Sequence, residues 1–164
     1  FVDWGINQIG NDAPNTWRTL SQEEWLYLIN TRTNAASLKG VAQVNGVNGT
    51  IFLPDNWTCP SDVTFKSGST GYGIDYYAGH QTFTAEEWSK LEAAGAVFLP
   101  AAGNRGGWNV FDVQYCGYYW SSTDNNGDEA VDSRYYAYRL NFSDGYSSSG
   151  SKNGSSKVRA VLSF

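Results

Sequence analysis

Two stretches of the chain combine a helix-start signal with apolar residues at helical spacing. In each, a hydroxyl residue is followed three positions later by a glutamate, which is the capping box that closes the first turn of a helix. The two pairs are Ser21 with Glu24 and Thr84 with Glu87. Trp25 and Ile29 continue one apolar face of the first stretch, and Gly95 can end the second. The pattern predicts helices over about 22–32 and 85–94.

The remaining apolar segments have the length and spacing of strands. Residues 41–44 precede an Asn-Gly dipeptide at 45–46, which is typical of a type I′ hairpin turn. The near-identical segments 51–54 and 97–100 each follow one predicted helix. We therefore expect two similar helix-then-strand units in one domain, with a further strand over 118–122.

The C-terminal part of the chain alternates apolar and polar positions, as a half-buried strand does. Over 136–142 the larger apolar side chains occupy every second position, and 158–164 forms a last apolar segment. We expect these two segments to be adjacent strands of one sheet, with Arg139 facing outward. The positions predicted to face inward are Tyr136, Tyr138, Leu140 and Phe142.

Two polar segments separate these strands. Residues 124–133 contain several acidic side chains, and 143–157 consist almost entirely of Ser, Gly, Asn, Asp and Lys around Tyr146. We expect no regular structure in the second segment. A polar segment of this length inside a compact domain is usually functional or mobile.

Composition limits the classes of protein to which the chain can belong. Of the 164 residues, 41% are hydrophobic and 16% are charged, against roughly 25% charged in an average soluble domain. Aromatic residues make up 16% and methionine is absent. This mixture suits short strands and turns, excludes disorder, collagen and coiled coil, and predicts one domain over 1–164. The net charge of -5 would repel phosphate backbones, so no nucleic acid partner is expected.

The chain carries no signal for membrane insertion. No apolar run approaches the roughly 20 residues of a membrane span. The first residues also lack the basic and apolar regions of an export signal, which predicts either a cytosolic chain or one whose signal has been removed. The low charge and the abundance of Asn, Ser, Thr and Gly favour an extracellular protein.

Residues suited to catalysis are few. His80 is the single histidine of the chain, and its polar context is typical of an exposed loop. The chain therefore offers few residues that could act as a catalytic nucleophile with its general base. The glutamate pairs at 23–24 and 86–87 fall in the first turns of the predicted helices. Capping and the helix dipole explain them better than acid–base chemistry does.

Metal-binding signals are also weak. The acidic residues of the first polar segment could hold calcium or form a solvated acidic loop, and their spacing does not match an EF-hand. They are Asp124, Asp128, Glu129 and Asp132. Cys59 and Cys116 do not have the spacing of a zinc site. The sequence is compatible with a disulfide between them and with two free thiols.

The aromatic residues divide into two groups. Tryptophans on or beside predicted helices and strands are assigned to the core. They are Trp17, Trp25, Trp57, Trp88 and Trp120. Tyr135 and Tyr146 lie in or beside polar segments, and tyrosine among Ser, Gly and Asn has the composition of an antibody-like binding surface. A soluble loop without a binding role is the alternative.

Motifs spread over nearly the whole chain resemble one protein family. They lie at 3–7, 17–21, 24–25, 27–28, 30–32, 47–49, 52–57, 91–95, 98–105, 117–123 and 158–161. In these segments the chain resembles the major-paralogous-domain proteins exported by gut bacteria, which are similar in fold to C-type lectin-like domains. The resemblance implies an α+β fold, with two helices against a mixed or antiparallel sheet and a long loop-rich region.

The C-terminal motifs resemble more narrowly the variable region of proteins diversified by retroelements. In those proteins adenine-directed mutagenesis of AAC-type codons yields Asn, Ser, Tyr, Asp, Gly or Arg at the varied positions. The resemblance implies a ligand-binding face within 124–157. Its candidate residues are Asp124, Asn125, Asn126, Arg134, Tyr135, Arg139, Ser143, Tyr146, Ser148, Ser149, Ser151, Asn153 and Ser156.

The function implied by this resemblance is binding without catalysis. We expect a receptor-type or adhesin-type module on a bacterial cell surface or phage virion, which binds a protein or glycan on another surface and needs no metal or cofactor. One alternative is a calcium-independent carbohydrate-binding domain that uses Tyr135 and Tyr146. Calcium-dependent sugar binding is disfavoured because 53–56 and 108–110 do not fit the lectin motifs. An oxidase of the formylglycine-generating type shares the fold, but its cysteine motifs are not matched here.

Overall fold

The computed structural model describes residues 4–68, 81–106, 108–124, 136–142, 146–151 and 160–162. Within these ranges the chain is a mixed α+β structure with two α-helices and several small sheets. None of the helices in these ranges has the length and apolar character needed to cross a membrane.

Both predicted helices are present, and both begin with the predicted capping box. Helix α1 spans Gln22–Leu26 and continues as a π-helical turn over Tyr27–Thr31, and α2 spans Ala85–Ala93. The Ser21 hydroxyl accepts a hydrogen bond from the Glu24 N–H at 3.2 Å, and the Ser21 N–H donates to the Glu24 carboxylate at 2.8 Å. Thr84 and Glu87 repeat both bonds at the same distances. A short 3₁₀-helix at Ala35–Leu38 follows the π-helical turn.

The two caps give a stability prediction. Ser21→Ala and Thr84→Ala should each lower the free energy of unfolding by about 1 kcal/mol, because each leaves an N3 backbone N–H without its side-chain acceptor. Urea denaturation measures the effect. Ser89→Ala is the control, because the Ser89 hydroxyl caps no helix and only donates to the Glu86 carbonyl within α2. If all three variants have the same midpoint, the caps do not stabilise the helix starts.

The largest sheet has four strands in the order β4-β2-β3-β5. The strands are β2 at Lys39–Val44, β3 at Val47–Phe52, β4 at Gln81–Phe83 and β5 at Val97–Pro100. The predicted hairpin joins β2 to β3, and Asn45 and Gly46 have the positive φ angles of a type I′ turn, 47° and 81°. The two near-identical apolar segments meet in this sheet, since Ile51 of β3 pairs with Phe98 of β5.

Three smaller sheets complete the described structure. Strand β1 at Trp17–Thr19 pairs with β11 at Ala160–Leu162, and β6 at Ala102–Gly106 pairs with β7 at Asn109–Val113, both antiparallel. The third sheet has the order β10-β9-β8. Its strands are β8 at Tyr118–Asp124, β9 at Tyr136–Asn141 and β10 at Tyr146–Ser151.

The prediction that 136–142 and 158–164 are neighbouring strands is wrong. Strand β9 lies between β8 and β10, whereas β11 pairs with β1 near the start of the chain, in a different sheet. Alternation of apolar and polar residues identifies a strand and its buried face. It contains no information on which strand lies alongside, because that depends on contacts distant in sequence.

The prediction of no regular structure over 143–157 is wrong for residues 146–151. These residues form β10, which pairs with β9 in an antiparallel register from Tyr146 opposite Asn141 to Ser151 opposite Tyr136. A segment of Ser and Gly has low strand propensity on its own. Pairing with an existing strand supplies its backbone hydrogen bonds without requiring apolar side chains.

Two clusters of buried residues form the core, and the four-stranded sheet contributes to both. Phe52 and Leu99 belong to the cluster beneath α1, and Ile51 belongs to the cluster beside α2, because successive residues of a strand face opposite sides of a sheet. The first cluster also contains Leu20, Trp25, Ile29, Ala101, Tyr119, Leu140 and Phe142. The second also contains Ala42, Val44, Leu53, Val63, Phe83, Leu91 and Ala96.

Several burial predictions need adjustment. Leu140 and Phe142 are buried as predicted, whereas Tyr138 is half-buried and Ala137, which lies between the positions predicted to face inward, is buried. The side chain of Tyr136 lies outside the described residues. Of the five tryptophans assigned to the core, Trp25 is fully buried, and the others are half-buried. These others are Trp17, Trp57, Trp88 and Trp120.

Candidate functional site

Arg139 projects from the middle of β9 and lies over the ring of Tyr118, at the start of β8. The Arg139 Cζ is 4.7 Å from the ring centroid, which is cation–π distance. The Arg139 Nε is buried and forms no hydrogen bond in the part of the chain that the structure describes. The prediction that Arg139 faces outward needs correction, because the residue is half-buried.

Tyr118 connects this arginine to a neighbouring hairpin. Its hydroxyl donates a hydrogen bond to the Asp112 Oδ2 at 3.1 Å. Burial raises the pKa of the Tyr118 phenol, and the nearby Cys116 thiol and Asp112 carboxylate raise it further. The phenol is therefore a neutral donor at physiological pH. Arg139, Tyr118 and Asp112 form a continuous row of contacts from β9 through β8 to β7.

The β6–β7 hairpin exposes apolar side chains to an unusual degree. Trp108 at its tip is 95% exposed and Val110 is 61% exposed. Three further large hydrophobic residues of this region are also exposed, namely Phe111, Val113 and Tyr115. Several large apolar side chains exposed in one region of a protein commonly mark an interaction site.

Sequence reasoning missed this hairpin as a site. Residues 108–110 entered only as a mismatch to a lectin motif, and the sequence predicted no role for 111–113. The sequence does contain a local signal for the exposure of Trp108, which follows Gly106 and Gly107 and precedes Asn109. A tryptophan among turn-forming residues has little chance of burial.

A close backbone contact joins the hairpin to the three-stranded sheet. Gly103 of β6 forms an isolated parallel bridge with Gly117, next to β8. Gly103 has a φ of 65°, and a Cβ there would lie 2.1 Å from the Phe111 carbonyl oxygen. Only glycine fits this position without displacing β7.

The sheet brings part of the predicted binding face together. Ser148 of β10 and Trp120 of β8 are both register partners of Arg139, so the three residues form one row across the sheet. Ser149 lies opposite Tyr138 in the same pairing. Of the other predicted residues, the backbone is described for Asp124, Tyr146 and Ser151.

The rest of the predicted face lies outside the described residues. It comprises Asn125, Asn126, Arg134, Tyr135, Ser143, Asn153 and Ser156. His80 and the acidic residues 128, 129 and 132 also lie outside them. Within the described ranges, no group of three or more His, Cys, Asp or Glu side chains is placed to hold a metal ion. Cys59 and Cys116 are free cysteines, not a disulfide.

Comparison of the chain with family models, with curated proteins and with solved structures finds no match in any of the three. The structure itself supports a mixed α+β fold with two helices and several sheets. Any functional assignment therefore depends on the sequence motifs and on the geometry around Arg139, Tyr118 and the β6–β7 hairpin.

Proposed function

We propose that the protein is a non-enzymatic binding module, with a C-type lectin-like scaffold that displays a diversifiable face. The observation that carries the proposal is the pairing of β10 with β9 through six consecutive register positions. These pairs are held by backbone hydrogen bonds, which do not depend on the identity of the side chain. The Ser and Gly residues of β10 can therefore be replaced while the strand stays in place.

Unlike β10, the base of this sheet depends on particular side chains. Leu140 is 0% exposed and Phe142 is 4% exposed, and both pack in the core beneath α1. The Tyr119 ring stacks on Phe142 with 5.9 Å between centroids, and its hydroxyl donates to the Pro100 carbonyl at 2.7 Å. A packed and hydrogen-bonded base of this kind gives a changing face a fixed position.

The surface around this face has the composition of a protein interface. Arginine, tyrosine and tryptophan concentrate binding energy at interfaces. Arg139 supplies a half-buried cation, and the exposed hairpin around Trp108 supplies apolar area. The proposed partner is a protein or glycan on another cell or phage surface, and the proposed location is a bacterial cell surface or phage virion.

Tolerance to substitution tests this proposal. A library randomised at Ser148, Ser149 and Ser151 should retain free energies of unfolding within about 0.5 kcal/mol for most members, because the proposal assigns these positions to the displayed face and backbone hydrogen bonds hold their pairing with β9. Stability is read by protease resistance on a display system. The matched library is randomised at Leu140 and Phe142, and most of its members should unfold, since a buried leucine or phenylalanine contributes about 2–5 kcal/mol.

Binding is measured with the same serine library. Members selected on a purified protein such as hen lysozyme should lose affinity roughly thirtyfold on Arg139→Ala, as expected for an interface anchor. Lys90→Ala on α2 is the control and should leave affinity unchanged. If the serine library unfolds as often as the core library, residues 146–151 are structural and the proposal fails.

Glycan binding by the parent chain that is lost on Tyr146→Ala would instead support a carbohydrate-binding domain.

A further inference from the structure

A concave site lies on a different part of the molecule from the proposed binding face. A groove of about 460 Å³ runs between α1 with its π-helical continuation and the ends of β3 and β5. None of its lining residues belongs to β8, β9 or β10. The floor is apolar and includes Leu20, Trp25, Phe52 and Leu99. This volume and lining are typical of small-molecule sites, in which a few polar groups fix the orientation of the ligand.

Two hydrogen bonds hold one carboxylate at the rim of this groove. The Tyr27 hydroxyl donates to the Asp55 Oδ2 at 2.5 Å, and the Arg32 Nη1 donates to the Asp55 Oδ1 at 3.2 Å. These two contacts lower the pKa of Asp55, with the Tyr27 hydroxyl as the larger cause. The carboxylate is ionised at neutral pH, and its side chain is still 57% exposed. It therefore has lone pairs available for a further donor.

The positive charges at the groove are already engaged by protein groups. The Arg32 side chain is 1% exposed, and it donates to the carbonyls of Leu28, Leu38 and Leu53. The Arg18 guanidinium holds both oxygens of the Glu24 carboxylate. Arg18 is 42% exposed, but an anionic ligand meets guanidinium groups that Glu24 and Asp55 already pair, whereas a cation meets the exposed face of Asp55. The net charge of -5 creates a negative potential around the protein, which also attracts cations.

We propose that this groove binds a small amphipathic amine. The ammonium group donates to the Asp55 carboxylate, and the aryl or alkyl body covers the apolar floor. The inference does not depend on the diversifiable face, because no residue of that face lines the groove.

Three probes of one shape test the charge preference. 2-Phenylethylamine, 2-phenylethanol and phenylacetate are titrated at pH 7 and followed by two-dimensional NMR. The amine should bind at least about tenfold more tightly than the alcohol, because its hydrogen bond to Asp55 is charge-assisted. Phenylacetate should bind most weakly. Asp55→Asn should reduce the affinity for the amine to that for the alcohol.

A steric variant tests the location independently of the charge. Val97 lines the groove and is 38% exposed, whereas Val47 is 39% exposed and does not line it. Val97→Trp should abolish binding of both the amine and the alcohol, and Val47→Trp should leave both unchanged. The proposal is overturned if the amine and the alcohol bind equally, if no probe binds, or if Val97→Trp leaves binding intact. The steric pair decides the outcome even if Asp55→Asn perturbs the fold.

Discussion

Trp25→Ala is expected to lower the free energy of unfolding by about 3–5 kcal/mol, the range found when a buried aromatic side chain is truncated. Trp25 is 2% exposed and belongs to the core cluster beneath α1. Its ring centroid lies 6.4 Å from that of Tyr119, and its Nε1–H donates to the Trp120 carbonyl at 3.3 Å. Truncation therefore leaves a cavity and also an unpaired carbonyl between α1 and β8. Guanidinium or thermal denaturation measures the loss.

Trp108→Ala is the matched control for this prediction. The substitution is the same, but Trp108 is 95% exposed at the tip of the β6–β7 hairpin. Its removal should change the free energy of unfolding by no more than about 0.5 kcal/mol. Equal losses from both variants would contradict the placement of Trp25 in the core and of Trp108 on the surface.

Arg32→Met should lower the free energy of unfolding by about 3 kcal/mol or more. Methionine fills much of the same volume but donates no hydrogen bonds. The Arg32 guanidinium satisfies the carbonyls of Leu28, Leu38 and Leu53, at distances of 2.7–3.0 Å. Leaving a buried acceptor without its donor costs about 1–3 kcal/mol for each group. Urea denaturation of the variant measures the sum.

Asp55→Ala separates the carbonyl network of Arg32 from its ion pair. The Asp55 side chain is 57% exposed, whereas Arg32 is 1% exposed. Removing the exposed partner should cost about 1 kcal/mol or less, because solvent screens its attraction. If Asp55→Ala costs as much as Arg32→Met, the ion pair and not the carbonyl network holds the π-helical turn against the β-sheet.

The proposed binding face shows how far sequence alone reaches toward a site. Arg139 and three of the serines of β10, at 148, 149 and 151, were candidates from resemblance, and the register places Ser148 directly opposite Arg139. The contact of Arg139 with Tyr118 was not predictable, because the two residues belong to different strands. The exposed β6–β7 hairpin and the groove at Asp55 were not predicted either. Both depend on which surfaces the rest of the chain leaves uncovered.

Features whose interactions span only a few residues could be predicted from the residue types alone. The capping boxes at Ser21 and Thr84 join atoms three positions apart, and the Asn45-Gly46 turn requires only the positive φ angles that these residues tolerate. Such features form wherever the local residues allow them, so their residue types identify them.

The partners of the strands and the burial of Arg32 depend on the fold of the whole chain. Trp17 pairs with Leu162 across nearly the whole chain, and β10 becomes a strand through its pairing with β9. Arg32 is buried because carbonyls from two other segments, at Leu38 and Leu53, converge on it. Contacts between distant residues leave no periodic pattern in either segment. They are selected by the free energy of the whole packed arrangement, which no short stretch of sequence specifies.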